Sequence, residues 1–446
     1  MSAVRAVVAG VVFAAIAAAH VGSPDVFFQG KAGPYSLLVS IRPPDVIPGV
    51  AQIEVRALSA DVQKVELTPT PMTGIAATHP PIADVAQRSL ADPQIFDGSL
   101  WLMSSGSWEV HVRVNGAAEL PVPVPAVALK MKPMSRGVSY FLFGMMVFLS
   151  VGMVAIIRAA VETRKNLATV VAAVLVVFAL WASNNWWGSE ALAAGRKVYK
   201  PLVASASIDG STMNLRISDP GWLPLRKLDD LIPDHGHLMH LFLVRWPTMD
   251  RMAHLHPEQR ETGYFSTDVP SLPHGTYRIY ADIVHDSGLA ETAVGEVSLP
   301  DIAGKPVSGD DAAGPSLPAD GYRMEWIRED QSIHPRKVNL FSFSIYGPNG
   351  QPVLDLEPYM GMGGHAEFIK EDGSVFAHLH PTGSVPMASV AVASPEAMAA
   401  MHEMKVGPVV SFPYGLPTPG KYRVFVQMKR AGKVETGSFE ITTDSK

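Results

Sequence analysis

The run from Val138 to Ile157 holds no charged residue over 20 positions. At the helical rise per residue, that length just spans a hydrocarbon core of about 30 Å, so a transmembrane helix is expected there. A second apolar run, Leu167 to Ala182, is followed by Ser183, Asn184, Asn185 and the pair Trp186-Trp187. Polar residues and tryptophans of this kind mark the interfacial end of a span, so a second helix is expected over 167–187. Only Arg158 to Asn166 separates the two, and a tight hairpin would return the chain to its starting side. Arg158, Arg164 and Lys165 in that turn are matched by Lys130, Lys132 and Arg136 at the other end, so charge barely orients the pair. The N-terminus does orient it: Arg5, the apolar run Ala6 to Ala19 and the small residues Ala17-Ala18-Ala19 read as an export signal over 1–19. Both large segments of the chain are then extracytoplasmic.

A length of 446 residues suits about three domains, each with its own core. The formal net charge is -6 and the 36 Lys and Arg are scattered, which argues against a nucleic-acid surface. There is no cysteine, so thiolate metal sites, disulfides and cysteine nucleophiles are excluded together. Any metal must be held by His, Met, carboxylate or backbone.

Alternation of apolar and polar residues in short runs, punctuated by Pro and Gly, predicts a β-sandwich over 20–130, with strands near Tyr35–Ile41, Ala51–Ala57 and Trp108–Val114. The texture returns over 198–302, with strands near Thr212–Ile217, His240–Arg245 and Thr276–Val284, and again over 321–442. Between them, 303–320 is rich in Gly, Pro, Ser, Ala and Asp and reads as a linker. The fold class expected is mainly β, with three extracytoplasmic β-sandwich domains of immunoglobulin-like or cupredoxin-like form and the helical hairpin between the first and second.

The last two domains read as copies. Ala253-His254-Leu255-His256-Pro257 recurs as Ala377-His378-Leu379-His380-Pro381. His240 precedes the first motif by 14 residues and His365 precedes the second by 13. In a strand, residues i and i+2 share a face, so each HxH pair can aim two imidazoles to one side, with His240 or His365 supplying a third nitrogen. Such triads suit zinc or copper. On the same alignment His235 and His237 stand opposite Met360 and Met362. Thioether is a soft donor that suits Cu(I), so Met360, Met362 and Met387 tilt the distal site toward copper, while the proximal site suits Cu(II) or zinc. Methionine is also a common gap-filler in apolar cores, and both readings stand for these three. Single histidines such as His111, His274, His285 and His334 read as ordinary satisfied polar residues. Met398, Met401, His402 and Met404 form a further methionine segment, and His20 would be the mature N-terminus if cleavage follows Ala19. There is no HExxH and no GxSxG, and Glu258 is the only carboxylate adjoining an HxH pair in sequence, with Thr382 in its place in the second copy. That weighs against a zinc hydrolase or a copper oxidase, and no catalytic residue is assigned.

The runs Leu238 to Val244, Ala253 to Pro257 and Gly275-Thr276-Tyr277-Arg278 resemble bacterial exported YtkA-like domains, β-sandwiches related in style to the CopC copper-binding proteins. Tyr359-Met360-Gly361-Met362-Gly363-Gly364-His365 followed by Phe376 to Pro381 resembles the same group more strongly. The resemblance covers about 198–442 and touches the first domain only through Gly33-Pro34-Tyr35 and Pro43 to Gly49. It implies copper handling in the envelope: a protein of the bacterial inner membrane with its domains in the periplasm, or on the outer side of a single membrane. Sequestration is one expected role, and delivery to a copper transporter or an oxidase under assembly is the other. A membrane-tethered interaction scaffold without metal is the alternative.

Overall fold

A computed structural model describes residues 20–21, 25–59, 61–131, 136–162, 166–222, 226–301, 303–315, 321–328, 332–395 and 406–443. The export signal expected at 1–19, the segment from Met398 to Met404 and the side chain of His20 lie outside the described residues. The architecture is mainly β, built from several sheets.

In the first domain the alternation seen in the sequence becomes burial. Strand Tyr35–Arg42 buries Leu37, Val39 and Ile41 and half-exposes the residues between them, because successive side chains point to opposite faces. It lies in a five-stranded sheet with Val26–Ala32, Gly49–Ala57, Ile95–Leu102 and Gln87–Arg88. A four-stranded sheet holds Ala118–Ala126, Gly106–Val114, Val65–Pro71 and Asp84–Val85. Leu37 and Val55 of the first sheet share one core with Val65 and Val112 of the second. Each such side chain taken from water stabilises the fold by about 2 kcal/mol before entropy is counted.

Two helices follow, α1 (Arg136–Glu162) and α2 (Asn166–Lys197). Among the described residues one window is apolar and long enough to cross a membrane, Leu142–Ala159 in α1, and none of it is covered by the rest of the chain. The pair of spans expected at 138–157 and 167–187 is therefore met only in its first member. Helix α2 does not end at the Trp186-Trp187 pair but runs on to Arg196 and Lys197. Glu190 to Ala194 are strong helix formers, and they carry the helix past the end of its apolar part.

The second domain is a ten-stranded sheet enclosing a core that includes Leu215, Leu241, Leu255 and Ile279. The third has a six-stranded and a three-stranded sheet around Phe341, Phe368, Phe412 and Val424. Corresponding strands carry the duplication: His240–Arg245 lies between Met252–Leu255 and Gly275–His285, and His365–Lys370 lies between Val375–Leu379 and Gly420–Arg430. The two domains dock through these strands. Phe242, Val244 and Tyr280 of the first copy pack against Ile369, Phe376 and Phe425 of the second, with the Tyr280 and Phe376 rings stacked at 4.2 Å.

Residues expected to form a free linker are used structurally. Ala312–Gly314 pairs with Met252–Leu255 as an edge strand, with His254 opposite Ala312. The first domain is also tied to the third. Phe27 packs in the third domain's core, while Val385 and Val390 pack in the first domain's core. Backbone bonds join Gln29 to Thr382 (2.7 Å) and Ser384 to Phe27 (2.8 Å), just beyond His380.

Candidate metal centre

The site begins with a hairpin turn made twice. Asp234 and His237 exchange both backbone hydrogen bonds at 2.9 Å, and Tyr359 and Met362 do the same at 2.7 and 3.1 Å. A two-residue turn that follows the twist of its strands needs positive φ at both central positions. His235 (51°) and Gly236 (87°) supply it in one copy, and Met360 (51°) and Gly361 (80°) in the other. Glycine adopts this conformation freely, whereas for methionine it is uncommon.

From each turn the chain enters a strand whose first residue is a histidine. The register Leu241↔Leu255 sets His240 across from His256, and Ala366↔Leu379 sets His365 across from His380. Phe242 faces His254 and stacks on it at 4.3 Å, while the equivalent position in the second copy is Glu367, facing His378. The docking of the two copies then brings their histidines together in one buried place.

Two triads result. In the first, His240, His254 and His256 present ring nitrogens within 4.8 Å of one another. In the second, His365 and His380 are joined not by their own neighbour but by His235 of the first copy, within the same limit. The other members of the expected set fall around these six. His378 lies between the triads, with ring centroids 5.5 Å from His240 and 5.3 Å from His365. His237 stacks on His256 at 3.9 Å, its Nε2 3.3 Å from Asp310. Met362 and Met387 are buried in the apolar cluster shared with the first domain. Met360 is half-buried, and its backbone bonds the ring of His235.

Hydrogen bonds outside the triads decide which nitrogen of each ring is free. His240 donates from Nε2 to the carbonyl of Asp234 (3.1 Å), His254 from Nδ1 to Oε1 of Gln427 (2.8 Å), and His256 from Nδ1 to Asp311 (2.9 Å). Nδ1 of His240 and Nε2 of His254 face each other across 3.0 Å, at hydrogen-bond distance. In the second triad His380 donates from Nδ1 to the Val385 carbonyl (3.2 Å), and its Nε2 lies 3.4 Å from Nε2 of His235. His378 donates from Nδ1 to Asp282 (3.2 Å). Nε2 of His256, Nε2 of His378 and both ring nitrogens of His365 are buried without a hydrogen-bond partner. Burying unpaired polar atoms is costly, and His256 and His378, each anchored through one ring nitrogen and free at the other, are held as metal-ligating histidines are.

Electrostatics keeps these rings neutral. Burial, reinforced by repulsion among the imidazoles, holds His240, His254, His365 and His380 well below the usual histidine range, and burial also lowers His235 and His256. Neutral imidazole is the form that ligates a metal. A cavity of about 190 Å³ reaches the cluster from the meeting point of the three domains, touching His237, His240, His378 and His380.

Several contributors were not singled out in the sequence. Asp282 and Gln427 occupy equivalent positions, seven residues after Gly275 and Gly420, and each bonds a histidine of the other copy. The aligned repeats contained that signal. Asp310 and Asp311 came from the segment read as a linker, and Glu367, fully buried with both oxygens unpaired and its carboxyl pushed well up by burial, replaces an aromatic residue. Nothing local marks these three.

Mainly β domains with a histidine cluster between two copies define the class of chain. Residues 205–298 and 317–445, half of the chain, match the family described as Domain of unknown function (DUF8832), and the chain belongs to that family. No curated protein matches it. Among solved structures, the Escherichia coli adhesin FdeC is 11% identical, with 93% of this chain and 99% of that one covered at a TM-score of 0.16. Escherichia coli alpha-2-macroglobulin activated by porcine elastase is 9% identical over 94% and 30%, at 0.19. The chicken interferon gamma receptor alpha chain is 7% identical over 63% and 100%, at 0.18. Likeness at this level extends to neither a shared site nor a shared activity.

Proposed function

We propose that the chain is a membrane-anchored, extracytoplasmic metal-binding protein that holds copper between its two repeats, for sequestration or for delivery to an envelope transporter or an oxidase under assembly. One observation carries the reading: six histidines gather in two triads whose ring nitrogens lie within 4.8 Å of one another, with Nε2 of His256 and both ring nitrogens of His365 buried and unpartnered. Burying those nitrogens unpaired is costly, and a bound cation would satisfy them. Copper is favoured over zinc by the resemblance to YtkA-like and CopC-like proteins, while the imidazole donor set suits both metals and Met362 and Met387 lie in the apolar core.

Anchoring is supported by α1, whose apolar side chains Phe143, Val147, Leu149 and Val154 have no protein cover and need an apolar solvent. A second span in α2, a periplasmic setting and the sandwich form of each β domain complete the proposal. Anchored beside a membrane partner, the soluble domains would stay within reach of it.

The test is the metal content of the full chain, extracted from membranes in detergent, against a variant with His254, His256, His378 and His380 all changed to alanine. Copper in the first and none in a still-folded variant is the expected result. Zinc in its place would return the hydrolase alternative. No metal in either protein, even after exposure to Cu(I) and Cu(II), would leave a tethered interaction scaffold as the better account. The full chain is needed because Phe27 completes the third domain's core.

A further inference from the structure

We infer that the two triads form one two-ion centre with a single open coordination position facing the cavity, where a small exogenous ligand binds. The inference rests on the metal reading above and adds to it nuclearity and accessibility.

Ring spacing supplies the first argument. Within the first triad the centroids are 4.6 to 5.3 Å apart. Between triads, His240 and His235 are 6.0 Å apart and His254 and His365 6.1 Å. The gap between the sets is only slightly larger than the gaps inside them, so ions in both are near neighbours, as in two-metal sites with ions about 4 Å apart.

Donor arithmetic supplies the second. Two four-coordinate ions need about eight positions. The triads provide six nitrogens, and His378 provides a seventh from its unpartnered Nε2, which is buried between them while Asp282 holds the opposite nitrogen. One position is left over. Its direction is set by the cavity, which touches His240 of one triad and His380 of the other as well as His378. A small ligand entering there reaches the edge of both ions. Hydroxide, or a small anion in its place, fits the space and the charge of two cations held by neutral rings.

The experiment uses the full chain loaded with Cu(II), with azide as the probe. Two copper per chain are expected, with an electron paramagnetic resonance signal integrating to well under two spins because neighbouring ions couple. Azide should give one charge-transfer absorption band that saturates at one azide per copper pair. His378→Ala opens a second position and should raise that ratio to two. One copper per chain, two copper integrating to two isolated spins, no azide band, or an unchanged azide ratio in a His378→Ala protein that still holds two copper would each overturn the inference while leaving metal binding intact. Failure to bind copper at all would instead overturn the metal reading on which it rests.

Discussion

Gln427 of the second repeat accepts a hydrogen bond from Nδ1 of His254 in the first, at 2.8 Å, and Asp282 of the first returns the favour to Nδ1 of His378 in the second, at 3.2 Å. Each copy thus orients a histidine of the other. Outer partners of this kind fix the tautomer and typically account for 10- to 100-fold in metal affinity. Gln427→Leu should keep the fold and the number of ions bound but weaken affinity by roughly 10-fold or more, measured by competition with a chelator. An unchanged affinity would mean that Gln427 does not orient a metal-ligating His254.

The crossing of His235 into the second triad separates two neighbours that look equivalent in sequence. His235 approaches His380 to 3.4 Å, whereas His237 is engaged with Asp310 and stacked on His256. His235→Ala should lose one of the bound ions, and His237→Ala should lose none. Inductively coupled plasma mass spectrometry on both purified variants decides it. Equal losses would place both rings at one site.

The strands named in the first two domains were legible because one face of each is buried and period-two alternation records that. Strand His240–Arg245 has the expected bounds, and Thr276–Val284 is extended by one residue at each end. The histidines were legible through duplication. What sequence could not carry is which side of the domain boundary a ligand serves, since His235 lies five residues from His240 yet joins the other triad. The role of Ala312–Gly314 was hidden for a different reason: an edge strand of small residues has neither alternation nor bulk. The end of α2 was misplaced because helix propensity continues where hydrophobicity stops.

Phe376 is the seam between the repeats, stacked on Tyr280 at 4.2 Å and 5.4 Å from Phe242. Truncating a buried phenylalanine costs about 3 to 5 kcal/mol. Phe376→Ala should therefore destabilise the docked pair by that order in chemical denaturation, and it should weaken metal binding too, since no centre exists unless the copies meet. Phe412→Ala, in the core of the third domain alone, should destabilise comparably with less effect on affinity once folding is restored at low temperature. Equal effects on binding would mean that the repeats stay docked without Phe376.

Proton linkage gives two opposite signatures in one molecule. The cluster histidines are depressed, so the unfolded chain binds protons they refuse; stability of the metal-free protein is unaffected above the unfolded value near 6.5 and falls as pH drops below it. His285 is the reverse case. Bonds to Asp230 at 2.7 Å and Glu291 at 3.1 Å raise it against the pull of burial, so its contribution is full below 6.5 and is lost as pH rises through its folded value. Urea unfolding of metal-free protein across pH 5 to 9 should thus show a loss on the acid side and a second, gentler loss on the alkaline side. His285→Gln should remove the alkaline limb and leave the acid one, and the four-alanine variant of the HxH motifs should shrink the acid limb, to which His235, His240 and His365 still contribute, and leave the alkaline one. An acid limb undiminished by the loss of those four rings would show that His254, His256 and His380 are not what makes the metal-free protein sensitive to protons.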